Sequence, residues 1–140
     1  MVKINDSISN ELSIKCGVPQ GTTLSPTLFN IQLNDIKTLN LKSQVTCYAD
    51  DTALICIANT WNEVFDNIET DLKTIDNWLG VNNLFLYFEK SAIILHSLTK
   101  HTLSSFNSIK IHDNTCQIHD LCNCKSINIV KNFKYLGIEM

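Results

Sequence analysis

The sequence predicts an α+β fold, an antiparallel sheet backed by two helices. Three observations lead there. Apolar and polar residues alternate in short runs such as Ile109-Lys110-Ile111 and Ile127-Asn128-Ile129, the period of a half-buried strand. Trp61, Val64, Phe65, Ile68, Leu72, Ile75 and Leu79 recur at three- and four-residue steps, which puts them on one face of a helix. Two adjacent carboxylates, Asp50 and Asp51, stand between the apolar runs Val45 to Cys47 and Thr52 to Ile57, where a hairpin would carry both at its tip. The 140 residues are enough for one domain with a buried core.

In chain order, Val2 to Ile4 and Leu12 to Ile14 alternate around polar residues and read as a hairpin leading into a glycine-rich loop, Gly17 to Gly21. Ser25-Pro26 has the form of a helix start, Ser as N-cap and Pro at the first helical position, with a helix to follow over about 26–39. That helix is apolar on more than one side, through Leu28, Phe29, Ile31, Leu33 and Ile36. Thr60 and Glu63 fit a capping box for the second helix, 61–79, which ends near Gly80. Leu84 to Phe88, Ala92 to Leu95, the runs around Ile109 and Ile127, and Tyr135 to Ile138 read as strands.

Composition narrows the function classes. Hydrophobic residues make up 44% of the chain, as in an ordinary globular protein, and no apolar run reaches the length of a membrane span. Met1 to Glu11 is polar where a signal peptide would need an apolar stretch. Six cysteines without a secretion signal read as thiols of a reducing compartment. The expected location is therefore intracellular, in nucleus or cytoplasm, not secreted and with no membrane partner. The net charge of −3 is opposite to that of a usual nucleic-acid binder, although a catalytic carboxylate cluster contributes part of it.

Asp50 and Asp51 carry the sharpest chemistry. Like charges this close repel, and a divalent cation is the simplest partner for the pair. Upstream, Gly17 and Gly21 permit close backbone approach to a ligand, Pro19 stiffens the loop between them, and Gln20 offers both a donor and an acceptor. A carboxylate pair together with such a loop points to chemistry on phosphates.

These residues resemble the palm domain of a reverse transcriptase, most closely those of non-LTR retrotransposons. Gly17 to Asp35 (GVPQGTTLSPTLFNIQLND) is similar to motif B, Tyr48 to Leu54 (YADDTAL) to catalytic motif C, Trp78 to Ser91 to motif D, and Phe133 to Ile138 (FKYLGI) to motif E. Four motifs in the family's order cover most of the chain. The resemblance implies a palm-type antiparallel sheet packed on helices, without fingers or thumb, and RNA-directed DNA synthesis on an RNA template and DNA primer from deoxynucleoside triphosphates, with two Mg²⁺ or Mn²⁺ ions. It implies Asp50 and Asp51 as metal ligands, Asp50 the principal one. Lys90 is implied beside the leaving pyrophosphate, Gly17, Pro19, Gln20 and Gly21 in template and nucleotide positioning, and Tyr48, Tyr135, Leu136 and Gly137 in primer positioning. Tyr87 departs from the family pattern, which carries Asn there.

A further catalytic aspartate of the family lies in a motif upstream of Gly17, and Asp6 is too close to Gly17 to supply it. The expectation is a partial palm spanning 1–140, inactive by itself, with a non-enzymatic relic or nucleic-acid-binding module as the alternative. Cys116, Cys122 and Cys124, interleaved with His112 and His119, lack paired Cys-x-x-Cys steps and fit no common zinc module, so reduced thiols in a surface hairpin are expected there. Cys16, Cys47 and Cys56 read as small core residues.

Overall fold

The computed structural model describes residues 3–11, 13, 17–97, 107–112, 116, 122 and 124–140. The chain forms two compact units, Met1–Asn34 and Asp35–Met140. The first holds a short hairpin, β1 (Lys3–Ile4) and β2 (Ser7–Ile8), paired Lys3 with Ile8 and Ile4 with Ser7. Ser7–Ile8 thus supplies the second arm expected of Leu12 to Ile14, of which Leu12 and Ile14 lie outside the described residues. Helix α1 spans Ser25–Asn34. The Leu28 amide donates to the Leu24 carbonyl at 3.0 Å, so Leu24 takes the capping position and Ser25 is already helical. The expected Ser25 cap does not form because its hydroxyl is used elsewhere, donating to the Pro19 carbonyl. Pro26 still falls in the first turn, where a missing N–H leaves no hydrogen bond unmade.

In the second unit a 3-10 turn, Asp35–Thr38, takes the place expected for the end of the first helix. Strands β3 (Gln44–Tyr48) and β4 (Asp51–Ile55) pair antiparallel with a two-residue tip, Tyr48 opposite Asp51. Helix α2 runs Trp61–Val81. Its capping box is as predicted: Thr60 Oγ1 accepts from the Glu63 amide while the Glu63 carboxylate accepts from the Thr60 amide. It ends at Val81, near Gly80 as expected. The Leu84 amide bonds the Leu79 carbonyl at 2.8 Å and the Asn83 amide bonds the Gly80 carbonyl at 3.2 Å, a Schellman motif. Asn83, at φ 55°, takes the left-handed position of this motif.

Leu84 to Phe88 is not a strand. The chain leaves the Schellman end and closes a 3-10 turn, Phe88–Lys90, which sets the half-buried Leu86 and Phe88 against the core. Strands β5 (Ala92–Ile94), β6 (Ser108–Lys110) and β7 (Ser126–Val130) form a three-stranded sheet in the order β5-β7-β6. β6 is antiparallel to β7, but β5 is parallel to it, a departure from the all-antiparallel expectation. The expected last strand is a second tight hairpin, β8 (Lys134–Tyr135) and β9 (Ile138–Glu139). The described residues therefore carry several small sheets and two α-helices, a mixed α+β architecture.

Within the core of the second unit, Leu72 of α2 clusters with Ile127 of β7 and Ile111, just past β6, flanked by Leu54, Ile68, Leu86, Phe88 and Ile93. Burying one such side chain is worth about 1.5–3 kcal/mol. Leu54 ties the β3–β4 hairpin into this cluster, so a packed core braces the tip that carries Asp50 and Asp51.

Candidate active site

Both carboxylates of the β3–β4 tip are exposed. In the antiparallel register Asp51 faces Tyr48, so their side chains share one face of the hairpin. Tyr48 is 66% exposed, an aromatic surface open to solvent rather than a half-buried strand residue. Val45 and Cys47 point the other way and are half-buried. Ala49, the first tip residue, holds φ at 52°. A left-handed backbone at a residue with a Cβ costs about 1–2 kcal/mol, a strain placed directly beside the carboxylates.

The base of the hairpin is anchored by a residue the sequence reading did not select. Asp71 of α2 is 1% exposed, and its carboxylate accepts from the Ser43 amide at 2.7 Å and the Lys42 amide at 3.0 Å, just before β3. The only sequence signal was an acidic residue beside Leu72 on the apolar face of the helix. At the far end of β4, the Cys56 thiol lies 3.9 Å from the Val64 carbonyl of α2.

Lys90 sits on the 3-10 turn before β5, a different element from the carboxylate tip. Its ammonium lies 5.0 Å from the centre of the Tyr87 ring, so the tyrosine at the family's Asn position is a cation–π partner of this lysine. In the β8–β9 hairpin, Leu136 and Gly137 both have positive φ, 48° and 82°, as a type I′ turn requires. Amide–carbonyl pairing between Phe133 and Met140 at 2.9 and 3.0 Å extends this hairpin. The Tyr135 hydroxyl is buried and has no hydrogen-bond partner among the described residues.

The Gly17–Gly21 loop belongs to the first unit. Gly17 and Gly21 take φ of 86° and 80°, so the loop is built on two left-handed backbones. The Pro19 carbonyl accepts from Ser25 and, at 3.4 Å, from Thr22, and the two hydroxyls are 2.6 Å apart. The serine expected as a cap instead pins the loop to the start of α1.

One cluster exceeds what spacing suggested. His112, Cys116, Cys122 and Cys124 bring their donor atoms within 4.8 Å of one another. His112 Nδ1 is 3.4 Å from both the Cys116 and Cys122 sulfurs. The Cys122 thiol is held below its ordinary pKa, first by a backbone hydrogen bond at Cys124, against a desolvation that raises it; side-chain hydrogen bonds to Cys124 and Cys116 and the Lys110 charge also lower it. His119 lies outside the described residues. No helix among the described residues is long and apolar enough to cross a membrane.

Comparison with known proteins finds relatives encoded by transposable elements. The chain is 32% identical over 85 residues to "Probable RNA-directed DNA polymerase from transposon BS" of Drosophila melanogaster, covering 56% of this chain and 9% of that protein. It is 26% identical over 105 residues to "Probable RNA-directed DNA polymerase from transposon X-element" of the same organism, covering 72% and 12%. It is also 26% identical over 126 residues to "Retrovirus-related Pol polyprotein from type-1 retrotransposable element R1 2" of Nasonia vitripennis, covering 89% and 29%. The chain thus spans less than a third of the length of each of these relatives. No solved structure matches it significantly. The family model described as reverse transcriptase (RNA-dependent DNA polymerase) matches residues 1–140, the whole chain, and this protein belongs to that family.

Proposed function

We propose that this chain is a palm segment of a non-LTR retrotransposon reverse transcriptase, carrying motifs B to E, and that Asp50 and Asp51 hold the divalent metal of template-directed nucleotidyl transfer. One observation carries the reading. In a chain matched end to end by the family, the Tyr48–Asp51 segment forms a tight hairpin tip with both carboxylates exposed and its base packed on the core. Among the described residues neither carboxylate has a side-chain hydrogen bond or a cationic partner. A pair of hard oxygen donors open to solvent suits Mg²⁺ or Mn²⁺. Such ions supply positive charge to the attacking and leaving oxygens of an in-line displacement.

The protein's own residues divide the remaining work. Asp50 is the principal ligand and Asp51 the lesser one. Tyr48, on the face shared with Asp51, offers its ring to the primer end. The loop of Gly17, Pro19, Gln20 and Gly21 presents backbone and amide groups to the templating base and the nascent pair. The Tyr135-Leu136-Gly137 turn braces the primer strand. Lys90, steadied over Tyr87, neutralises or protonates the departing pyrophosphate. The substrates are an RNA template, a DNA primer and deoxynucleoside triphosphates.

The test is primer extension on RNA by the longest in-frame chain containing these residues. Asp50→Asn removes a ligand charge at nearly constant shape and is expected to reduce DNA synthesis to background, with Asp51→Asn damaging but less so. Undiminished synthesis by the Asp50→Asn protein would remove the metal role from this hairpin.

A further inference from the structure

We propose that His112, Cys116, Cys122 and Cys124 form a closed structural zinc site at the connected end of the β6–β7 pair. The argument begins with register. Ser126 pairs with Lys110, and the Ile111 amide bonds the Lys125 carbonyl at 2.8 Å, so the antiparallel ladder continues one step past the strands. The next step sets His112 opposite Cys124. Opposed residues of an antiparallel pair point to the same face. Two donors are therefore fixed by the backbone, and Cys116 and Cys122 from the intervening connection complete a set of three sulfurs and one nitrogen.

Distances and donor types fit zinc. With Zn–S about 2.3 Å and Zn–N about 2.0 Å, the edges of a tetrahedron are about 3.5–3.9 Å. The two N–S separations here are 3.4 Å, and all four donors lie within 4.8 Å of each other, so small side-chain rotations close the set on one ion. Soft thiolates with one imidazole select zinc over the hard cations suited to Asp50 and Asp51. Four protein ligands leave no open position, which makes the site structural rather than catalytic. The neighbouring Ile111 and Ile127 are buried in one core cluster with Leu72, so the ion would fix the hairpin that supplies both. The three cysteines are thiols, as the site requires.

The test uses the full 140-residue chain, purified with zinc in the medium and dialysed against a weak chelator. Metal analysis is expected to find about one zinc per chain, and Co²⁺ exchange is expected to give the intense visible absorption of a tetrahedral thiolate centre. Cys122→Ser with Cys124→Ser should abolish stoichiometric metal, while Cys47→Ser with Cys56→Ser should retain it. His112→Ala should weaken zinc binding by more than about 100-fold, and His112→Cys, which keeps four ligands, should restore it; this rescue separates a ligand from a residue needed only for folding. Wild-type chain with no bound zinc and no tetrahedral Co²⁺ spectrum overturns the proposal, whether or not the variants fold. So does full zinc content in the doubly substituted Cys122 and Cys124 protein, or a disulfide among the three cysteines in protein purified without oxidant.

Discussion

Ala49 is the residue at which sequence and chemistry pull apart. It holds a φ of 52° between the Tyr48 ring and two carboxylates, a backbone that glycine adopts without steric cost. Ala49→Gly should therefore stabilise the fold by about 1 kcal/mol, seen as a higher urea midpoint with unchanged slope; a lower midpoint would show that the tip is not strained. The exposed hairpin tip at Asp50 and Asp51 was legible because two adjacent acids between apolar runs are costly to bury and tolerate turn geometry. The strain at Ala49 was not legible, since alanine carries no signature of positive φ. Nor was the clustering of donor atoms around His112, whose place opposite Cys124 depends on a strand register that spacing alone does not encode.

Helix α2 was the most legible element, and its less legible part is the one that matters for the site. The three- and four-residue period and the Thr60–Glu63 box located its start. Its end at Val81 falls beside the expected Gly80, but the Schellman pair that closes it is built around Asn83, whose left-handed backbone the helical period does not mark. Asp71 sits within the apolar stripe, where a hydrophobic period has no means of flagging it. Its two amide bonds link α2 to the entry of β3. Asp71→Ala would leave two amides without their acceptor, one of them donated by the buried Ser43, at a cost of about 3 kcal/mol. Denaturant unfolding checks this, and a loss below about 0.5 kcal/mol would show that water replaces the carboxylate. The run Leu84 to Phe88 has the pattern of a strand and is none, because an apolar stretch that packs as an irregular turn has the same composition as one that pairs.

Across the whole molecule, many large apolar side chains meet solvent: Phe85 is 90% exposed, Ile57 86%, Val81 83%, Leu24 67% and Ile31 64%. The net charge of −3 adds repulsion toward a phosphate backbone. The 140-residue chain alone is expected to self-associate, visible in light scattering, and to give no template-dependent extension of a primed RNA with Mg²⁺ or Mn²⁺. Processive extension that disappears in Asp50→Asn would contradict this and show that the chain's own carboxylates suffice. The α+β class was legible from periodicity. The parallel partnership of β5 with β7 was not, since period-two patterns specify which face a strand buries and say nothing of its neighbour's direction.

The strand order β5-β7-β6 has a consequence for how the chain is made. β7 lies between two strands that both precede it, and β5 and β6 share no hydrogen-bonded edge. Neither β5 nor β6 can pair within this sheet until Ser126–Val130 has been made, so their ladder groups have no partner there before then. Cys124 emerges just ahead of that strand. An ion captured by His112 and the three thiols would then seize the hairpin as β7 arrives, so that the supply of metal to the nascent chain helps decide whether the sheet closes or its waiting edges find other partners.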